Sequence, residues 1–294
     1  MKQFKRVIQI PIKNCGVTIP KFFLNFHKQY FQQTVLSILV LVSLHSTCFA
    51  QSPYKLDLNR EAIIFGAGIG LTVLSFSLND DIEPLTIDEI NSLNRDNINS
   101  FDRRATINYS QTEGLYSDIL LVTSILSPAL LALSGEIEND FTPAVTMYFQ
   151  TLLLAEAIPF VSKGITQRVR PFAYNDNAPL KDKQNRNAKR SFFSGHTTTA
   201  FAMAVFLSTV YSDYNPHSEW KTLVLATSLT LASAVGALRY SSGSHFPTDI
   251  ITGAIVGSAI GYFIPFVHRK EESNLDVLFG INSNGSVINL QYKF

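Results

Sequence analysis

The chain has 294 residues, 46% hydrophobic and only 16% charged, and its 24 Lys and Arg against 23 Asp and Glu leave a net charge of +1. That balance excludes the basic stripe of a nucleic-acid binder, and the sequence contains neither a Gly-rich phosphate loop nor a zinc-type cysteine cluster. A mean hydropathy of +0.13 is high for a soluble protein and modest for a many-span membrane protein, so both classes stay open.

No Pro/Gly/Ser-rich linker divides the chain, which predicts one main domain with terminal additions. Residues 1–50 read as an export signal or N-terminal anchor. A basic, acid-poor segment (Lys2, Lys5, Arg6, Lys13, Lys21, Lys28) precedes the short apolar run Thr34 to Leu44, and the small residues Cys48 and Ala50 fit cleavage before Gln51. The basic segment is long, so an uncleaved anchor or a misplaced start fits too. Cys15 and Cys48 both lie here, and no disulfide framework follows from them.

Residues 51–117 hold a first apolar helix, 62–78, with Gly66, Gly68 and Gly70 suited to close packing, and then a polar, acidic loop that invites no chemistry. Apolar helices are predicted next at 118–134 and 143–162, the second started by Thr142 and Pro143. Glu156 interrupts it and should face the bundle or a polar neighbour rather than lipid. Lys163 and Arg170 are seven apart, so both fall on one face if the helix runs to Pro171; the plainer reading is a basic helix end complementing the macrodipole. A basic loop, 172–193, leads to Ser191-Phe-Phe-Ser-Gly-His196 and a helix to Tyr211. A Ser-Gly pair at a helix start aims free amides and a hydroxyl at an anion, although a lone His there is usually a cap or a surface residue.

Helices five and six are expected at 221–238 and 249–267, the latter with Gly253, Gly257 and Gly261 every four residues for a backbone-close neighbour. Between them lie Arg239, His245 and Asp249. If helix six begins near Phe246, the Asp249 carboxylate is within reach of the imidazole and can hold its Nδ1 proton, leaving Nε2 free to attack, while Arg239, just past a helix end, can bind an anion. A polar loop with a surface His is the plainer alternative. The tail, 269–294, alternates like two strands around Asn284-Gly285 and predicts a β-hairpin.

In this order, Lys-x6-Arg-Pro, Ser-Gly-His and Arg-x5-His-x3-Asp resemble the three-part signature of the type 2 phosphatidic acid phosphatase (PAP2) superfamily, which includes bacterial acid phosphatases and vanadium haloperoxidases. The resemblance spans Asp118 to Val267, and a core of 118–268. Together with the six apolar runs, it gives the expectation of an all-α, PAP2-like bundle of six membrane-embedded helices. It also implies that Lys163, Arg170 and Arg239 bind phosphate oxygens with Ser194 and the Gly195 amide. By the same resemblance His245 is the nucleophile that forms a phosphohistidine, Asp249 orients it, and His196 protonates the leaving oxygen. Phe193 stands where the family has Pro, and Leu238 where it has Ser, which removes one phosphate hydrogen bond.

Three fixed cations and helix-start amides supply what phosphoryl transfer needs, so no metal and no cofactor are expected. The implied function is hydrolysis of a phosphate monoester or diphosphate of a membrane lipid, with no nucleic-acid partner and an open oligomeric state. Alternatives are a secreted soluble acid phosphatase, a haloperoxidase holding vanadate in the same pocket, and a non-catalytic membrane scaffold. Counting spans after a cleaved signal puts the catalytic loops on the cytoplasmic face, whereas the resemblance points to the periplasmic face of a bacterial-type cell membrane; the latter is the expectation here.

Overall fold

The computed structural model describes residues 52–133, 137, 141–270, 275–282 and 285–292. The expected export signal and both cysteines lie outside the described residues. Among the described residues six long helices follow one another: α1 Leu58–Asp80, α2 Gln111–Leu126, α3 Phe141–Thr166, α4 Gly195–Tyr214, α5 Lys221–Ser241 and α6 Pro247–His268. Short polar side chains start three of them, because the first amides of a helix have no internal acceptor: Asp57 caps Arg60 N, Ser110 caps Glu113 N and Ser194 caps Thr197 N. In α6 that service comes from inside the helix, where the Asp249 carboxylate accepts from Phe246 N at 2.9 Å, one residue before Pro247 opens the first turn.

The helix α4 is the centre, packed against α2, α3, α5 and α6. Its contact with α6 is made backbone to backbone. A Cβ on Gly257 would stand 2.1 Å from Thr198 O and one on Gly261 2.3 Å from Ala202 O, so the glycines expected to allow a close neighbour do meet one. The other faces are apolar outward: Ile63, Val73 and Phe76 on α1, Ile119 and Val122 on α2, and Ile255, Phe263 and Phe266 on α6 are all exposed. Five segments, 58–80, 111–132, 141–174, 221–241 and 247–268, are long and apolar enough to cross a membrane. An outward apolar surface of that length is what hydrocarbon accommodates, and the chain is a membrane protein.

Of the six apolar helices expected in the membrane, α4 is not among those five. The reason is position. Enclosed by its neighbours, it needs no lipid-compatible surface and carries buried Thr197, Thr198, Thr199 and Ser208, each hydrogen-bonded inside the bundle. Glu156 of α3 does face inward, accepting from Thr199 Oγ1 at 2.7 Å.

Helix α3 stops at Thr166, and Gln167 adopts a left-handed conformation (φ 44°). Lys163 and Arg170 therefore do not share one helix face, as a continuous helix to Pro171 would require; the turn carries Arg170 back into the same neighbourhood by another route. The acidic stretch before α2 folds into short helical turns, Ile87–Ser92 and Ser100–Arg103 among them. At the C-terminus β1, Leu275–Asn282, pairs antiparallel with β2, Gly285–Tyr292. Asn282 faces Gly285 across this ladder, which puts Gly285 in a strand rather than in the turn.

Candidate active site

His245 sits between α5 and α6 and is 1% exposed. Its Nδ1 lies 2.7 Å from the carbonyl oxygen of Ser191, which can only accept, so Nδ1 carries the proton and the lone pair is on Nε2. Burial first, and then the positive groups Arg170, Arg239, Lys163 and His196, push its pKa well below the usual imidazole value. The ring is neutral at physiological pH, as a nitrogen nucleophile must be.

The partner expected for that ring was Asp249. Its Oδ2 is 3.6 Å from His245 Nδ1, too long for a hydrogen bond, and is occupied by Ser191 Oγ at 2.6 Å and Phe246 N at 2.9 Å. Asp249 thus fixes the two residues that flank the imidazole, and the proton it was expected to hold goes to a main-chain carbonyl. The correction has a geometric origin: with Asp249 in the first turn of α6, its carboxylate is turned back to the free helix-start amide.

Three cations converge on His245, all nearly inaccessible. Lys163 comes from the last turn of α3, and a Cβ on Gly195 would meet its Nζ at 3.2 Å, which places it against the start of α4. Among the described residues no carboxylate lies within 4.0 Å of Lys163, and its ammonium stands over the Phe160 ring, 5.0 Å from the ring centre. Arg170 is held by its own amide on Ala188 O at 2.7 Å and by Nη2 on Asn187 Oδ1 at 2.9 Å. Arg239 lies within the last turn of α5, not past its end, and its Nη1 donates to Ser117 Oγ of α2 at 3.1 Å. The Nε donors of Arg170 and Arg239 are buried and have no acceptor among the described residues. Buried guanidinium donors left unmatched are costly unless an anion completes them. Ser117 also supplies a fixed hydroxyl next to the arginine that follows Leu238.

Ser194 and His196 open α4. The Ser194 oxygen accepts from Thr197 N and from Thr197 Oγ1 at 2.8 Å, so its lone pairs are engaged and its own proton is what it can offer an anion. Gly195 adds the first free amide of the helix. His196 is more open, with 30% of its side chain exposed, and its Nε2 lies 2.8 Å from Asp118 Oδ1.

Three residues without an assigned part in the three motifs complete the arrangement. Arg168 forks between two fully buried carboxylates, Nη1 to Asp249 Oδ1 at 2.6 Å and Nη2 to Asp102 Oδ2 at 2.8 Å, with its guanidinium 4.1 Å from the Phe246 ring centre. Asp102, in the acidic stretch that invited no chemistry, also accepts from Thr248 N and Thr248 Oγ1. Burial raises the Asp102 carboxyl, but hydrogen bonds from Arg168, Asn99 and Thr248 outweigh it and hold the pKa below the ordinary carboxylate value. Asp118 is the third. The local signal for Arg168 was its place in Gln167-Arg-Val-Arg170; nothing local singles out the two aspartates.

A helical bundle that gathers a neutral buried histidine, a second histidine and three buried cations at the ends of its helices defines a site for a phosphate-like anion. The family model described as "PAP2 superfamily" matches residues 144–272, the segment that carries all three motifs. The chain is 34% identical over 137 residues to a Schizosaccharomyces pombe protein named "Probable diacylglycerol pyrophosphate phosphatase 1", covering 43% of this chain and 47% of that one. It is 37% identical over 91 residues to the lipid A 4'-phosphatase of Porphyromonas gingivalis, covering 30% of this chain and 34% of that one. The chain therefore spans less than half the length of these curated relatives. The crystal structure of a transmembrane PAP2-type phosphatidylglycerolphosphate phosphatase from Bacillus subtilis aligns over 68% of this chain and 94% of its own, with a TM-score of 0.44 and 20% identity.

Proposed function

We propose that the chain is a metal-independent phosphatase that removes a phosphate, as a monoester or from a diphosphate, from a membrane lipid through a phosphohistidine on His245. The observation that carries this is the state of that ring: buried and neutral, anchored at Nδ1 on Ser191 O, with Nε2 free among Lys163, Arg170 and Arg239. The Nε2 lone pair attacks phosphorus while the bond to the leaving oxygen breaks. The electron pair goes to that oxygen, which takes a proton from His196. A water then attacks phosphorus and gives its proton to His196, and the P–N bond electrons return to Nε2 as phosphate departs. Lys163, Arg170, Arg239, the Ser194 hydroxyl and the Gly195 amide hold the phosphoryl oxygens throughout, and Asp249 keeps Ser191 and Phe246 in place around the ring.

The apolar shell of the bundle and the names of the relatives, a diacylglycerol pyrophosphate phosphatase and a lipid A phosphatase, support a lipid substrate. Phosphate release from phosphatidic acid, phosphatidylglycerophosphate, undecaprenyl diphosphate and lipid A, beside water-soluble esters, is expected to favour lipids and to persist in EDTA. Release from soluble esters alone overturns the lipid assignment, and loss in EDTA with return on adding Mg²⁺ overturns metal independence. The catalytic loops are assigned to the periplasmic face of a bacterial-type membrane. A reporter inserted after Lys183 should read as external; a cytoplasmic signal reverses the orientation.

A further inference from the structure

The helix α2 brings a carboxylate that the three motifs do not contain. Asp118 Oδ1 stands 2.8 Å from His196 Nε2 and 3.5 Å from Arg239 Nη1. Among the described residues His196 Nδ1 has no hydrogen-bond partner. His245 has the complementary arrangement, with Nδ1 anchored on Ser191 O and Nε2 open. Each imidazole is thus pinned by an acceptor at one nitrogen and presents the other, and the two pins lie on opposite nitrogens.

We infer that Asp118 is the positioning residue of the acid step: it accepts the Nε2 proton of His196, fixes the ring, and so makes Nδ1 the atom that protonates the leaving oxygen. The inference rests on the phosphatase reading above and deepens it. A protonated imidazole has two N–H groups; with Nε2–H committed to Asp118, the Nδ1–H bond is the one that breaks. Its proton passes to the leaving oxygen as that oxygen receives the P–O electron pair, and the Nδ1 lone pair then accepts a proton from the attacking water in the second step. The carboxylate balances the imidazolium before transfer and holds the tautomer that can take the proton back.

Stability does not account for Asp118. Its side chain is 58% exposed, and an ion pair that open to solvent contributes little to folding. Its placement beside Arg239 fits catalysis better, since the 3.5 Å contact is long enough to yield to a phosphate oxygen while the 2.8 Å contact to His196 remains.

A positioning residue for the acid matters only when the leaving oxygen needs a proton. The test uses the full chain in detergent micelles and a series of lipid-tailed phosphates graded in leaving-group acidity, from alkyl to nitrophenyl, with kcat/KM from phosphate release. General acid catalysis is worth about 10² or more, so Asp118→Ala is expected to lose about 100-fold on the alkyl ester and less than about 5-fold on the nitrophenyl ester. Asp118→Asn, which keeps an acceptor but not the charge, should fall between, with an unchanged melting temperature. Equal losses across the series, or no loss on the alkyl ester, overturn the role of Asp118. His245→Asn in the same series separates the underlying reading: it should remove turnover of every ester, and if it does not, the phosphohistidine mechanism fails whatever Asp118 does.

Discussion

His245→Asn is expected to lower phosphate release by about four orders of magnitude or more while leaving the melting temperature of the bundle nearly unchanged. The size follows from removing a nucleophile, whose loss is not shared out among the remaining groups. Asparagine is chosen for the atom it keeps. Its Nδ2 can occupy the place of Nδ1 and donate to Ser191 O, now 2.7 Å from the imidazole, so no buried carbonyl is orphaned, whereas alanine would leave both a cavity and an unpaired acceptor. Wild-type protein quenched into alkaline denaturant during turnover of a radiolabelled substrate should retain an acid-labile label, and the variant none. Variant turnover above about 1% of wild type, or a label that survives acid, excludes His245 as the covalent residue.

Arg168→Ala should cost less turnover but, unlike His245→Asn, also stability. One guanidinium neutralises Asp102 and Asp249, both fully buried, and without it two carboxylates face each other across the start of α6. Breaking a buried pair costs about 3–5 kcal/mol; with a quarter of the arginine side chain exposed, about 3 kcal/mol is the better expectation. Turnover should fall about 100-fold as well, since Asp249 then loses the orientation that fixes Ser191 and, through it, the Nδ1 proton of His245. Lysine cannot span both carboxylates and should recover less than half of either loss. The double variant Asp102→Asn, Arg168→Ala removes one orphaned charge and should regain melting temperature but not turnover. Thermal unfolding in detergent and kcat on one lipid phosphate measure both effects; a double variant that regained activity along with stability would make the network purely structural.

Those two residues also show what the sequence could disclose. His245, His196 and the cations sit in short motifs whose spacing is local, and the helix start at Phe246 follows from Pro247 and Asp249, so these were readable. The partner of His245 was not, because Ser191 lies 54 residues away and contributes a main-chain oxygen, which no residue type announces. Asp102 looked like one more acid in a polar loop because its partner Thr248 is 146 residues distant. Asp118 reaches His196 across 78 residues, from a helix whose composition says only that it is apolar. The polar centre of α4 was hidden for the converse reason: its threonines are ordinary in sequence and acquire meaning only from being enclosed. In each case the missing information was tertiary.

The glycine contact between α4 and α6 sets more than packing. A Cβ on Gly253 would stand 2.7 Å from Ser194 O, and Ser194 N donates to Asp249 O at 3.1 Å, so the starts of the two helices are joined main chain to main chain as well as along their length. His196 and the Asp249 side of the nucleophile's housing are mounted on that joint. Their separation is gauged by covalent backbone and van der Waals contact, with no long side chain in between to absorb error. The distance between these two parts of the site is therefore fixed by the main chain itself.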